Sequence, residues 1–363
     1  EPSHPIWSSS FFPAWFGEEA GRWTDSKPRL VWRTLFGFSP PQESEARGWL
    51  AAASSGDAAA EQRLFTLAPV EKADIALGHF QFPAQTYALK HSHNGHPRYW
   101  NGLCNGVGAA ALAELEPFRV VDVIGVDGSH IAFHPNDVKA LLAVAYFKTK
   151  EIRYVGESCN KIGFDAAKDC SMDPSVLVMA LINRIGLAHD SFLVDALPTI
   201  AIQFYPVARA RVHVAREPYE VGKIPVDPSL VGRVTTLVDV VLDLTMSSTT
   251  LRYDRANVID PSGADGSRYE RVGLVPVSFT YHATIALDAS SEMIGGRWTG
   301  NPAEGPDAAI FVSGGPALEQ NGNLTAADTI PWSFVRELAH ASTDDGPARP
   351  TLDLRTHCDG RCP

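Results

Sequence analysis

A cysteine at the start of a helix rich in small residues is the best candidate for chemistry in this sequence. Cys104 follows the loop HSHNGHPRYWNGL (91–103), and the helix after it is predicted to end before Pro117. A helix N-terminus favours the thiolate form of a cysteine, which is its nucleophilic form. Gly106, Gly108 and the alanines that follow allow close packing against a neighbour. From the residues alone, a nucleophile and a buried structural cysteine both stay open.

A nucleophilic thiol also needs a base, and the base needs a group that orients it. His130 and His134 lie in or after a predicted hairpin, and Asp195 lies in the apolar segment SFLVDAL (191–197). A carboxylate in such a strand is costly to bury unless it is paired, so we expect Asp195 to have a partner. The histidines are equally typical of exposed hairpin positions.

Metal and cofactor sites are less well supported. His91, His93 and His96 are spaced H-x-H-x-x-H, but no carboxylate or cysteine is spaced to complete a zinc site, so a polar loop is the preferred interpretation. The acidic segment DPSGAD (260–265) offers ligands for Ca²⁺ without matching an EF-hand loop. We therefore predict no cofactor and no resident metal, with Ca²⁺ as the one open possibility.

The cysteine count bears on localisation. Cys159 and Cys170 are close in sequence, as are Cys358 and Cys362, so two local disulfides would leave Cys104 as a thiol. This arrangement predicts a secreted, periplasmic or extracellular protein. Five reduced thiols in a cytosolic protein are the alternative.

Composition excludes several classes of protein. Of the 363 residues, 45% are hydrophobic and 20% charged, which is typical of a globular protein. The net charge of -11 argues against nucleic acid or an anionic membrane as a partner, because both attract basic surfaces. No apolar run approaches the ~20 residues that cross a bilayer.

Hydrophobic periodicity predicts helices first and strands later. The predicted helices are 43–64 with an interruption at 54–56, 67–78, 105–116, 138–147 and 175–186. The predicted strands are a hairpin at 120–133 turning at Asp127-Gly128, then 191–197, 200–214, 236–246 and 279–289. This order predicts an α+β fold, with a helical lobe that carries Cys104 and an antiparallel β lobe.

An ordered series of segments resembles the transglutaminase-elicitor family of oomycetes and bacteria, whose members are papain-like. The matching segments are LAPVEKADIALG (67–78), YWNGLCNGVGAAAL (99–112), FHPNDVKALLAVAYF (133–147), GESCN (156–160), DCSMDPSVLVMALINRIG (169–186), SFLVDAL (191–197) and SFTYHATIALDASSEMIGGRWTGNPAEGPD (278–307). The resemblance implies a papain-like fold and acyl transfer. Cys104 would attack a glutamine carboxamide, and a lysine amine or water would resolve the thioester.

The resemblance also implies a domain division. Residues 1–65 would be a covering or pro-like segment, and 316–363 a C-terminal extension. Between them, 66–315 would form the transglutaminase-like domain, with a helical part (66–190) and a strand-rich part (191–315).

Several positions depart from the family pattern. Val178 stands where the family has a histidine, and Val107 replaces a tryptophan. Gly305 and Ala308 replace the His and Phe of an H-P-D-F stretch. Gln203 replaces a tryptophan in the stretch that plants recognise, so elicitor activity does not follow from the resemblance.

Three hypotheses result. The first is a secreted acyltransferase in which Cys104 is the nucleophile, Asp195 the orienting group, and His134 or His130 the base. The second is a pseudoenzyme that binds a protein or peptide, and the third is a cysteine protease or amidase. The expected partner is a protein or peptide with glutamine and lysine, the expected state is a monomer, and neither nucleic acid nor membrane is expected.

Overall fold

A computed structural model describes a large part of the chain. The described residues are 5–10, 12, 22–23, 40–91, 102–147, 152–156, 171–197, 201–220, 228–251, 271–300, 305–312, 316, 330–343 and 349–356. They belong to two compact units. The helical unit lies within Trp7–Lys150, Thr250–Gly273 and Gly314–Pro363, and the strand-rich unit lies mainly within Glu151–Thr249 and Leu274–Ser313.

Six of the described helices lie close to predicted positions, and two, at 83–91 and 332–343, were not predicted. They are α1 (Glu43–Ser54), α2 (Ala58–Thr66), α3 (Pro69–Ala76), α4 (Pro83–His91), α5 (Cys104–Ala113), α6 (Pro135–Phe147), α7 (Pro174–Ala180) and α8 (Trp332–Thr343). A π-helix at Leu181–Leu187 continues α7, and Pro228–Leu230 form a short 3₁₀ helix.

The strands form two sheets. They are β1 (Val121–Ile124), β2 (His130–Phe133), β3 (Ile152–Gly156), β4 (Leu193–Asp195), β5 (Phe204–Glu220), β6 (Thr236–Ser247), β7 (Pro276–Leu287), β8 (Met293–Trp298), β9 (Ala308–Val312) and β10 (Thr351–Asp353). The small sheet has the order β10-β1-β2, and the large sheet has the order β3-β9-β4-β5-β6-β7-β8.

Local sequence signals account for several boundaries. Asp57 accepts hydrogen bonds from the N–H groups of Ala59 and Ala60, so it caps α2 after the interruption that follows α1. Asp173 caps α7 in the same way by accepting from the N–H of Ser175 at 2.8 Å. Gly128 has φ +84°, a conformation that suits glycine at the tight turn between β1 and β2.

Buried ion pairs hold the helical unit together. Lys72 Nζ lies 2.6 Å from Asp137 Oδ2, and both side chains are fully buried. A second pair joins Lys139 to Glu116 at 2.7 Å. Because both carboxylates also accept other hydrogen bonds, these charges are not left without partners inside the unit.

The strand-rich unit is a seven-stranded antiparallel sheet with one covered face. Its strand pairs are all antiparallel. Side chains of α7 and the π-helix pack onto the central strands in one apolar core, which includes Leu177, Leu181, Val194, Leu242 and Tyr281. Alternating apolar and polar residues on β6 produce this one-sided burial, as the sequence predicts.

The units divide at a different point from the predicted halves. The prediction placed the change from helical to strand-rich parts at 190/191, whereas the described units divide near Lys150 and Glu151. The reason is that α7 packs on the large sheet although it is helical. The predicted C-terminal extension also contributes α8 and β10 to the helical unit. That residues 1–65 form a removable cover stays a prediction.

Candidate functional site

The predicted nucleophile is the first residue of α5. Cys104 carries a thiol, and the residue is 6% exposed. The helix starts after Leu103, whose carbonyl accepts the N–H of Val107 at 2.8 Å, and no side chain caps this N-terminus. The first-turn N–H groups of a helix carry partial positive charge, so they favour an anionic sulfur at this position. Cys104 thus combines an activating helix end with little solvent exposure.

Close helix packing fixes the position of α5. An ideal Cβ placed on Gly106 would lie 2.1 Å from the carbonyl oxygen of Ala143 and 3.0 Å from Cβ of Phe147. Only glycine therefore allows this approach of α5 to the last turns of α6. The small-residue pattern that the sequence shows around Cys104 serves this helix contact.

His134 lies at the opposite end of α6 from the contact that fixes α5. Its backbone N–H donates to Asp137 Oδ2 at 2.8 Å, and its ring packs edge-on against Phe65 at 4.7 Å between ring centres. Burial, and then the charges of Lys72 and Arg349, lower the pKa of His134 well below its usual value, so the imidazole is neutral.

The length of α6 separates the two candidate residues. This helix of 13 residues is about 20 Å long. Gly106 contacts its C-terminal end, whereas His134 immediately precedes its first residue. His134 as the base for Cys104 therefore stays a prediction. His130 is exposed at the start of β2, opposite Ile124 of β1.

Asp195 ends β4 in the strand-rich unit, and the ionisable group that acts on it there is another acid, Asp307. The residue is 1% exposed, and its Oδ1 accepts the N–H of Gln203 at 3.2 Å. Its side chain shares a hydrogen bond with the carboxyl group of Asp307, which is 0% exposed. A hydrogen bond between two carboxyl groups requires a proton, so one of the two acids is neutral.

Burial and the second carboxylate explain the titration of this pair. Burial and then the charge of Asp307 raise the pKa of Asp195 to about 9. Burial and the same two acids also raise the pKa of Tyr281, whose hydroxyl donates to the carbonyl of Ala196 at 2.7 Å. An acid that shares a proton is not the full anion that best stabilises an imidazolium ion.

Val178, at the family's histidine position, belongs to the apolar core of the strand-rich unit. Its exposure is 3%, and it is part of the cluster that contains Leu177, Val194 and Ala196. A valine offers no proton-accepting group. Among the described residues of this unit, the groups that shift the pKa of Asp195 are therefore Asp307 and the backbone of Gln203, and no histidine is among them.

Asp307 was not among the predicted site residues. This acid directly precedes β9, where β9 pairs with β4 and Ala308 lies opposite Asp195. The signal was present in the sequence, because Asp307 is the retained acid of the stretch in which Gly305 and Ala308 depart from the family. The sequence of β4 or of β9 does not by itself show that these two strands are neighbours in the sheet, so the contact between Asp195 and Asp307 could not be predicted.

Other predicted features lie outside the described residues. These are the disulfide cysteines Cys159, Cys170, Cys358 and Cys362, the histidines His93 and His96, the side chain of His91, and the acidic segment 260–265. Among the described residues, no group of three or more His, Cys, Asp or Glu side chains is placed to hold a metal ion. The described helices also include none that is long and apolar enough to cross a membrane.

Comparison with solved structures identifies the fold. The crystal structure of the GP42 transglutaminase from Phytophthora sojae matches with a TM-score of 0.59, over 94% of this chain and 90% of that chain. This chain has the fold of a transglutaminase. The transglutaminase fold confirms the predicted α+β class and the resemblance seen in the ordered segments. Sequence identity in the match is 16%, so the likeness extends to the fold.

Sequence comparison adds no further assignment. No protein-family model matches the chain, and no curated protein sequence matches it significantly. The transglutaminase fold and the side chains described above are therefore the basis for a functional proposal.

Proposed function

We propose that this chain is an acyltransferase that acts on glutamine side chains of proteins through Cys104. The single observation that supports this proposal best is a thiol at the first residue of α5 in a chain with a transglutaminase fold. The helix end favours the thiolate, which is the nucleophilic form.

The proposed reaction has two steps. The thiolate of Cys104 attacks the carboxamide carbon of glutamine, and the nitrogen leaves as ammonia after it takes up a proton, which gives a thioester. A lysine amine then attacks the thioester carbon, loses a proton and expels the thiolate, which gives an isopeptide bond. Water in place of the amine gives glutamate, and water acting on a peptide thioester is the protease variant of the same chemistry.

The proposed rate is low, because the candidate bases are not favourably placed. His134 lies at the far end of α6, and Asp195 shares a proton with Asp307. A positioned general base contributes about 10²–10⁴-fold to a rate. We therefore expect slow transfer that depends on Cys104 and the α5 N-terminus, and little on His134 or His130.

Amine incorporation tests the proposal. The assay mixes the protein with a fluorescent primary amine and a glutamine-rich substrate protein whose lysines are dimethylated. We expect wild type to label the substrate protein and Cys104→Ala to leave it unlabelled. His134→Asn and His130→Asn are expected to retain transfer within about twofold, since neither is expected to supply a large general-base contribution. Ammonia release without labelling identifies water as the acceptor. Equal labelling by wild type and Cys104→Ala would reject the proposal.

A binding module without catalysis is the second candidate. It is favoured by Val178, which fills the family's histidine position with a buried apolar side chain, and by the Asp195–Asp307 pair. In this case the glutamine protein binds wild type and Cys104→Ala with the same affinity, and neither releases ammonia. Secretion, a monomeric state and a protein partner belong equally to both proposals.

A further inference from the structure

One edge of the large sheet is open along the distal part of β5. Strand β4 pairs with β5 only at Phe204–Pro206, whereas β6 pairs along the other side as far as Glu220. In the part of the chain that the structure describes, no strand lies beside β5 beyond Val207 on the β4 side. An open edge presents backbone N–H and C=O groups that can pair with another extended chain. We call residues 211–216 the β5 edge.

The apolar face of the sheet, which is buried at the central strands, becomes exposed at this edge. Val212 and Val214 are 37% and 58% exposed. Their neighbours on β6 are Leu242 and Val240, which are 0% and 6% exposed in the apolar core. Two apolar side chains therefore extend the core face into solvent at alternate positions. An added strand with apolar residues at alternate positions would cover them.

The other face of the β5 edge is basic. Arg211 and His213 alternate with the two valines, and Arg216 follows, all three exposed. Asp243 lies opposite Arg211 and 3.9 Å from His213, and Asp239 lies opposite Arg216, so the β6 side supplies two acids to this face. In a chain whose net charge is -11, these three exposed basic side chains outnumber the two acids that face them from β6. Acidic side chains at alternate positions of an added strand would complement it.

A second copy of the chain fits this edge poorly. Antiparallel pairing of two β5 edges would bring arginines of both copies together on one face, and like charges across a strand pair are destabilising. Bulges at Val207/Arg209 and Val214/Arg216 also limit the regular ladder to a short stretch. Both features oppose self-association. They are compatible with a short added strand that carries acidic rather than basic side chains.

We propose that the β5 edge binds an extended segment of a partner protein in which apolar and acidic residues alternate. The segment adds a strand to the large sheet, with its apolar side chains over Val212 and Val214. Its acidic side chains face Arg211, His213 and Arg216. This inference uses the strand-rich unit alone and does not depend on Cys104.

Fluorescence anisotropy tests the proposal with a fluorescein-labelled peptide of about eight residues that alternates Val and Glu. We expect saturable binding to the full chain and at least tenfold weaker binding, as a rough figure, to Arg211→Glu. Arg233→Glu is the matched control, because it makes the same charge reversal at an exposed position away from the β5 edge. N-methylation of the peptide amides that face β5 should abolish binding, and methylation of the alternate amides should not.

Four results would overturn the proposal. The first is no binding of the alternating peptide. The second is equal binding of a peptide of the same composition whose glutamates stand in one block. The third is that Arg211→Glu and Arg233→Glu weaken binding equally. The fourth is a concentration-dependent dimer, seen by analytical ultracentrifugation, that Arg211→Glu dissociates, since the occupant would then be a second copy.

Discussion

Two buried carboxyl groups dominate the electrostatics of the strand-rich unit at the scale of single residues. Asp195 and Asp307 are both essentially inaccessible to solvent, and they face each other where β4 and β9 pair. A carboxyl group in the unfolded chain titrates near pH 4. In the folded chain the pKa of Asp195 is about 9, because burial and Asp307 both disfavour its anion.

This difference predicts a pH-dependent stability. Between about pH 4 and pH 9 the folded chain holds a proton that the unfolded chain has lost, so the free energy of unfolding falls as pH rises. Asp195→Asn keeps the shape and donates to Asp307 without a titrating proton. We expect it to become more stable than wild type by roughly 1 kcal/mol per pH unit across this window. Urea unfolding at pH 5, 7 and 9, followed by tryptophan fluorescence, measures the effect.

The control for this prediction is Asp243→Asn on the solvent-accessible face of the same sheet. Asp74 in α3, whose pKa burial raises to about 8, adds a slope of the same sign to every variant. The difference between variants is therefore the informative quantity. Parallel pH curves for wild type and Asp195→Asn would contradict the shared proton.

The candidate site was predictable residue by residue but not as an assembly. Cys104 could be proposed because a helix start and a run of small residues are local features of the sequence. The pairing of Asp195 was expected from the cost of burying a carboxylate, yet its partner depends on which strands become neighbours. His134 was proposed because it is close to Cys104 in sequence. It directly precedes the first residue of α6, whereas α5 contacts α6 at Ala143 and Phe147.

At the scale of elements, the contact between α5 and α6 depends on one missing side chain. Gly106→Ala would force a methyl group against the backbone of Ala143. We expect a loss of about 1–3 kcal/mol in the free energy of unfolding, since the backbone cannot move aside cheaply. Thermal unfolding by circular dichroism measures the change.

Gly48→Ala in α1 is a matched control for this prediction. An ideal Cβ on Gly48 meets no atom within 4 Å. The same substitution there should stabilise the helix by about 0.5–1 kcal/mol, because alanine loses less backbone entropy than glycine. A gain in stability for both variants would mean that the close approach of α5 to α6 does not require glycine at position 106.

Element types followed from periodicity, whereas one helix geometry did not. The predicted helix at 175–186 is an α-helix only to Ala180 and then a π-helix. The apolar pattern of this segment satisfies both forms, since the large sheet covers the segment from one side. Strands β6 and β7 were predictable nearly to their ends, because apolar and polar residues alternate over much of each strand.

For the molecule as a whole, the N-terminal residues are tied to the helix that carries Cys104. Trp7 is 1% exposed, and its indole N–H donates to the carbonyl of Glu114, directly after α5, at 2.8 Å. The ammonium group of Lys139 lies 5.3 Å from the centre of the Trp7 ring. The structure is thus consistent with an N-terminal segment that restrains α5.

This restraint predicts that Trp7→Ala makes Cys104 more reactive. Loss of a buried tryptophan costs about 3–5 kcal/mol, which lowers the free energy of opening around α5. We expect iodoacetamide to label Cys104 several-fold faster, roughly, than in wild type under native conditions. Mass spectrometry of the labelled peptide provides the rate. Trp49→Ala, at a half-exposed position on α1, is the control, and equal rates in both variants would refute the restraint.

The small sheet has a consequence for the order of events during synthesis. Its outer strand β10 pairs with β1, and Arg349 next to it forms an ion pair with Asp122, which is 227 positions earlier in the sequence. The helical unit therefore remains incomplete until β10 has left the ribosome. The strand-rich unit lies between these two ends, so its sheet can form first. Because contacts this distant in sequence form slowly, we expect the final closing of the helical unit to limit the rate of folding.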